Sequence, residues 1–164
     1  MRKRTRSLAI LASLLLSGLA ARGRAEETSI LKLSPPPSGP IPVAFLLSEQ
    51  ATMIDFAGPW EVFQDVLVPG RGDSLGAFRL FTVAEKSAPI RTSGGMRIVP
   101  DYTLANAPIP KVIVIPAQSD STEAVRSWLR KSAPTADVVM SVCTGAFVLA
   151  STGLLDGPSQ RDGS

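Results

Sequence analysis

Cys143 is the one cysteine in a chain that contains no histidine. It can form no disulfide within the chain. Without an imidazole there is no Cys-His or Ser-His pair, and no His-based metal site. In an oxidising compartment such a lone thiol pairs between chains, lies buried and inert, or has a chemical job. Two carboxylates share one short stretch, Ile54-Asp55-Phe56-Ala57-Gly58-Pro59-Trp60-Glu61-Val62-Phe63. Asp55 and Glu61 are six residues apart, so they would not share a helix face. Each also has a purely structural reading. An Asp just ahead of a helix can cap it or face its dipole, and a lone Glu is commonly a solvated side chain.

The setting of the thiol narrows its chemistry. Val138-Val139-Met140-Ser141-Val142 reads as a buried strand, and Thr144 to Ser151 reads as an apolar helix that ends at Gly153. A strand that turns at once into a helix lifts the residue at the turn above the sheet, as in a nucleophile elbow. Free amides at the helix start favour an anion and so the thiolate. The N–H of Thr144 would point to where an oxyanion forms, and Gly145 would let strand and helix approach closely. The same spacing also suits a buried, inert thiol, since Cys packs as a small hydrophobe.

These residues need a frame. Val43 to Leu47 and Val112 to Ile115 are apolar runs of strand length, the latter β-branched throughout and stopped by Pro116, and Phe78 to Ala84 reads as a further strand. A helix is expected over Trp60 to Val66, with Pro59 in its first turn, and another over Glu123 to Arg130, capped by Ser121 or Asp120. Pro69 to Asp73 reads as a loop. Ser93-Gly94-Gly95 reads as a turn before a short strand, Met96 to Val99. Strands alternating with helices predict an α/β domain over 43–157, with a parallel sheet covered by helices on both faces. Arg126, Arg130 and Lys131 fit a solvated helix face, and Trp60 and Trp128 fit core or interface positions.

The first 25 residues read as targeting sequence. Arg2, Lys3, Arg4 and Arg6 precede an uncharged apolar run, Leu8 to Ala21, and small residues flank a possible cut after Ala25. That is the pattern of a cleaved secretory signal, which implies a periplasmic or secreted protein; the alternative is an uncleaved anchor. The run is too short for an ordinary transmembrane helix. Residues 26–42 form a Pro-rich linker and 158–164 a polar tail. The segment 1–25 holds six of the 17 basic residues and no acidic one. Eleven basic residues then face 14 acidic ones, which leaves no basic footprint for nucleic acid.

Three stretches, in order, carry a family resemblance: Ile54 to Phe63, Thr92-Ser93-Gly94-Gly95-Met96-Arg97-Ile98-Val99-Pro100-Asp101, and Ser141-Val142-Cys143-Thr144-Gly145-Ala146. Together they resemble the ThiJ/PfpI superfamily, class I glutamine amidotransferase-like proteins. The nearest pattern is that of isonitrile hydratases and of the sensor domain of some AraC-type regulators. The resemblance covers roughly Ile41 to Gly157. It implies a flavodoxin-like parallel sheet with a nucleophile elbow. It implies Cys143 and Asp55 as a catalytic pair with Thr144 beside them, and Glu61 as a second possible acid partner. Gly94, Gly95, Ala117 and Gln118 become candidate pocket or oxyanion residues. The implied reaction is hydration of an isonitrile to an N-substituted formamide, with a small molecule as substrate or ligand and no metal or organic cofactor. A non-catalytic sensing domain, or an inactive remnant, is the alternative that the resemblance leaves open.

The chain departs from the superfamily pattern in three ways. Relatives carry Pro-Gly-Gly where this chain has Pro116-Ala117-Gln118, which bears on any oxyanion pocket. The protease branch has His after the nucleophile, where Thr144 stands, so proteolysis is not implied. Relatives also continue past the position of Gly157, so the fold is expected to be incomplete at that end. A sheet edge and apolar helix faces would then need a partner, and instability or a homo-oligomer, most simply a dimer, is expected.

Overall fold

The computed structural model describes residues 39–67, 76–119 and 121–156. The signal, the tail, the Pro69 to Asp73 loop and most of the linker lie outside the described residues, as does Asp120. The chain runs β1 (Ile41–Leu46), α1 (Met53–Gln64), β2 (Phe78–Ala84), β3 (Ile90–Arg91), β4 (Arg97–Ile98), β5 (Tyr102–Thr103), β6 (Val112–Ile115), α2 (Glu123–Ser132), a 3-10 turn (Ala133–Thr135), β7 (Val138–Ser141) and α3 (Gly145–Ala150). Five strands form one sheet in the order β5-β2-β1-β6-β7, with every neighbouring pair parallel. β3 and β4 form a separate antiparallel hairpin. This is the parallel α/β sheet that the strand and helix runs predict, in the flavodoxin-like arrangement that the resemblance implies.

Alternation along the strands builds two cores. Ala44, Leu46, Ile113 and Ile115 face one side, against Val125 and Leu129 of α2 and Val148 and Leu149 of α3. Val43, Phe45, Leu47, Val112 and Val114 face the other, against Phe56 of α1. Side chains on both faces of the inner strands are buried, which is why these runs are continuously apolar. After β1 the chain adds strands to one side, and after β5 it crosses back to add β6 and β7 on the other. The reversal puts the topological switch point between the carboxyl ends of β1 and β6, where open α/β sheets take their ligands.

Several local features depart from expectation. α1 begins at Met53, before Gly58-Pro59, and carries Pro59 in its interior. An interior Pro costs about 3 kcal/mol. Packing offsets that cost, for Trp60 stacks 4.9 Å from Phe45 and Phe63 lies edge-on to Phe78 at 4.9 Å. The cap of α2 is Thr122, not Ser121 or Asp120, because the Thr122 hydroxyl accepts the Val125 N–H at 3.2 Å. β3 and β5, two residues each, were not anticipated. β5 is pinned by Asp101, whose carboxylate accepts from the Thr82 N–H and hydroxyl at 2.7 and 2.8 Å.

Candidate active site

β7 delivers Cys143 to the end of the sheet. The Val142 N–H still donates to the Ile115 carbonyl at 2.9 Å, so the parallel ladder runs on past Ser141. The chain then reverses in one step, with the Gly145 N–H donating back to the Val142 carbonyl at 3.0 Å. Cys143 has φ 54° and Thr144 has φ −72° and ψ −1°. Those angles match a type II′ turn, whose first central position normally takes Gly. A cysteine held there stores strain of order 1–3 kcal/mol. Cys143 is exposed, as is Thr144 beside it. The thiol is thus exposed at the turn, and not buried among core side chains.

Gly145 makes the turn possible. A Cβ added there would fall 2.2 Å from the Ile115 oxygen and 2.7 Å from the Pro116 oxygen. Both contacts are with backbone, so no side chain can swing away to relieve them. α3 can therefore start directly against β6 only because this position lacks a side chain.

Asp55 approaches from the other direction. It lies in the first turn of α1, is 7% exposed, and its carboxylate accepts the Ala117 N–H at 3.2 Å. Asp55 is not the helix cap. Thr52 holds that place, and its N–H donates to the Ala117 carbonyl at 2.8 Å. Ala117 is thus clamped through both its N–H and its carbonyl to the start of α1. Ile115 is the last β6 residue in register with β7, opposite Ser141, so Ala117, which holds the Asp55 carboxylate, and Cys143 each lie two residues beyond the paired ends of neighbouring strands. Glu61 sits on the exposed part of α1 and accepts from Gln64 Nε2 at 2.6 Å.

The remaining candidates belong to the loop after β6 and to the β3–β4 hairpin. Gln118 accepts the Ser48 N–H at 2.7 Å through its side-chain oxygen. Its Nε2 is buried without a hydrogen-bond partner among the described residues, as are Ser48 Oγ and Thr92 Oγ1. Gly94 and Gly95 form the exposed tip of the β3–β4 hairpin, and Gly95 needs its φ of 86°. A Cβ on Gly94 would sit 3.5 Å from Met53 Sδ. The hairpin is tied to the β1–α1 loop by the Ser93 N–H to the Ala51 carbonyl, 3.1 Å, and the Gln50 N–H to the Arg91 carbonyl, 2.8 Å. Sequence reasoning missed Ser48 and Thr52. The available signal was their place in the loop after the first strand of a parallel sheet, on the ligand-binding side. Beyond the elbow, Phe147 of α3 lines a cleft of about 270 Å³ with Ser121, Arg126, Val148 and Ser151.

Comparison with known proteins agrees with this fold. Residues 42–160 match the DJ-1/PfpI family. An isonitrile hydratase of Pseudomonas putida is 30% identical over 120 residues, covering 70% of this chain and 49% of that protein. An uncharacterised protein encoded in the cpoL 5′ region of Streptomyces lividans is 33% identical over 127 residues, covering 73% of this chain and 85% of its own. Among solved structures, a ThiJ/PfpI family protein of Pseudomonas syringae superposes with a TM-score of 0.62 at 26% identity, covering 73% of this chain and 48% of that one. The chain thus spans about half the length of the hydratase and of that solved structure.

Proposed function

The chain belongs to the DJ-1/PfpI family, and on that premise we propose that Cys143 and Asp55 form a thiol–carboxylate site that hydrates an isonitrile to an N-substituted formamide. The observation that carries this reading is the left-handed backbone of an exposed Cys143 just past the end of β7, with the buried Asp55 carboxylate held just past the end of neighbouring β6. A non-Gly residue in that conformation is costly, and such strain clusters at working sites. The kinship to an isonitrile hydratase supplies the substrate class.

The steps balance. Asp55 takes the thiol proton as the Cys143 sulfur bonds to the terminal carbon of R–N≡C. The same proton passes to that carbon, giving the thioimidate R–N=CH–S–Cys143. Water then adds to the carbon, and the proton it loses to Asp55 is passed on to the nitrogen, which leaves Asp55 as the carboxylate. Collapse of R–NH–CH(OH)–S–Cys143 breaks the C–S bond, releases R–NH–CHO, and returns a proton to the sulfur. The sum is one isonitrile plus one water to one formamide. Asp55 begins the cycle hydrogen-bonded to Ala117, so the amide that positions the carboxylate also orients its second oxygen.

The test is formamide formation from cyclohexyl isocyanide, followed by mass spectrometry. The wild-type chain should form product and the Cys143→Ala chain should not. Product formed equally by both, or by neither, refutes the hydratase assignment. Saturable binding of the isonitrile without turnover would instead place the chain with the sensing modules of this fold.

A further inference from the structure

Two described residues other than glycine have a positive φ: Cys143 at 54° and Gln50 at 61°. The first belongs to the thiol site. The second lies in the loop after β1, at the ligand-binding end of the sheet. The Ala51 N–H donates to the Ser48 carbonyl at 3.2 Å, so Ser48 to Ala51 is a four-residue turn with Gln50 third. A positive φ at that place alone marks a type II turn, which normally takes Gly or Asn there. Glutamine holds the angle at a cost, and such outliers cluster at working sites. Gln50 is exposed, so core packing of its side chain does not account for the angle.

The backbone around the turn does. The Glu49 carbonyl accepts the Ser119 N–H at 2.9 Å, from the loop after β6. The Gln50 N–H donates to the Arg91 carbonyl at 2.8 Å, and the Ala51 carbonyl accepts the Ser93 N–H at 3.1 Å, both on the hairpin side. The Thr52 N–H then returns to the β6 side, to the Ala117 carbonyl at 2.8 Å, and α1 begins at Met53. Three residues past Thr52, the Asp55 carboxylate accepts the Ala117 N–H at 3.2 Å. A turn of another type would start α1 in a different direction and carry the carboxylate off that amide. We propose that Gln50 is a positioning residue, whose left-handed backbone aims the first turn of α1 so that Asp55 meets Ala117. It acts through φ and not through its carboxamide. Its effect on turnover rests on the hydratase reading, and its effect on the Asp55 to Ala117 bond does not.

Amide-proton exchange at Ala117 in the full chain tests this without a substrate. Gln50→Gly and Gln50→Asn both accept a positive φ, and should leave the exchange rate within about twofold of wild type. Gln50→Val is β-branched and disfavoured at that angle. It should speed exchange at Ala117 at least about tenfold while the Val114 amide, inside β6, stays protected. In isonitrile turnover the Val variant should lower kcat at least about tenfold with KM within about threefold, and Asn should keep the wild-type rate. If the Val variant does not fold, the Gly variant decides, with an unfolding midpoint raised by about 2–4 °C. Unchanged Ala117 exchange in the Val variant, exchange in the Gly variant as fast as in Val, or a Gly midpoint no higher than wild type overturns the proposal. A wild-type chain without turnover refutes the hydratase reading, and the exchange rates still decide the role of Gln50.

Discussion

β6 and β7 are paired neighbours in the same sheet, yet they hold their ends in opposite ways. All four residues of β6 are buried, and all four of β7 are half-buried. Past β6, Ala117 is 6% exposed and tied to the start of α1 through both its N–H and its carbonyl. Past β7, Cys143 is exposed on a backbone that other residues avoid. The carboxylate is thus buried and held by a backbone hydrogen bond, and the thiol stands on a strained turn on a more open flank. Substitutions on the two sides should respond accordingly.

The largest effect is expected where the two sides meet. Gly145→Val drives a side chain into the Ile115 and Pro116 carbonyls, and should cost about 3 kcal/mol or more. Thermal unfolding would show it as a drop of many degrees, and an unchanged transition would mean that α3 does not rest on β6 as described. Next is Asp55→Ala, which leaves the Ala117 N–H buried and unpaired at a cost of about 2 kcal/mol. Asp55→Asn keeps an acceptor and should cost clearly less, and equal losses would deny the clamp its role.

Cys143→Gly should have the opposite sign. Glycine accepts the φ of 54° without penalty, so the variant should gain about 1 kcal/mol over Cys143→Ala while losing all thiol chemistry. A Gly variant no more stable than the Ala variant would remove the strain from the account. Smaller still is the outer flank. Phe147 is 74% exposed, and Phe147→Ser should stay within about 0.5 kcal/mol. The least effect concerns α2, where Arg130 and Arg126 hold the Glu123 carboxyl below its ordinary value of 4.5. A carboxyl depressed in the folded state adds stability above its unfolded value and loses it as the pH falls through the folded one. Glu123 is fully exposed, so the acid side of the stability profile should shift only slightly in Glu123→Gln, and less in high salt.

The sequence revealed most where burial leaves a composition mark. The runs Phe78 to Ala84 and Val112 to Ile115 match β2 and β6 residue for residue; β6 is buried on both faces and wholly apolar, while β2 is buried only over its last four residues and admits Arg79 where it is exposed. The elbow was legible as an apolar run breaking at Cys143-Thr144-Gly145, although a positive φ at cysteine leaves no sign in composition. α1 was misplaced because Pro59 looks like a helix start, and only tertiary packing of Trp60 and Phe63 explains a helix that runs through it. β3 and β5 are too short to show any period. The Asp55 to Ala117 bond joins residues 62 apart, and no local pattern encodes such a contact.

The central claim, that Cys143 and Asp55 work as one unit, is tested most directly by a double-mutant cycle on kcat/KM for isonitrile hydration. Groups that share a step are strongly non-additive. Cys143→Ala, Asp55→Asn and the double variant should therefore all fall to nearly the same residual rate. Single losses that multiply in the double variant, or a wild-type chain without turnover, would contradict it.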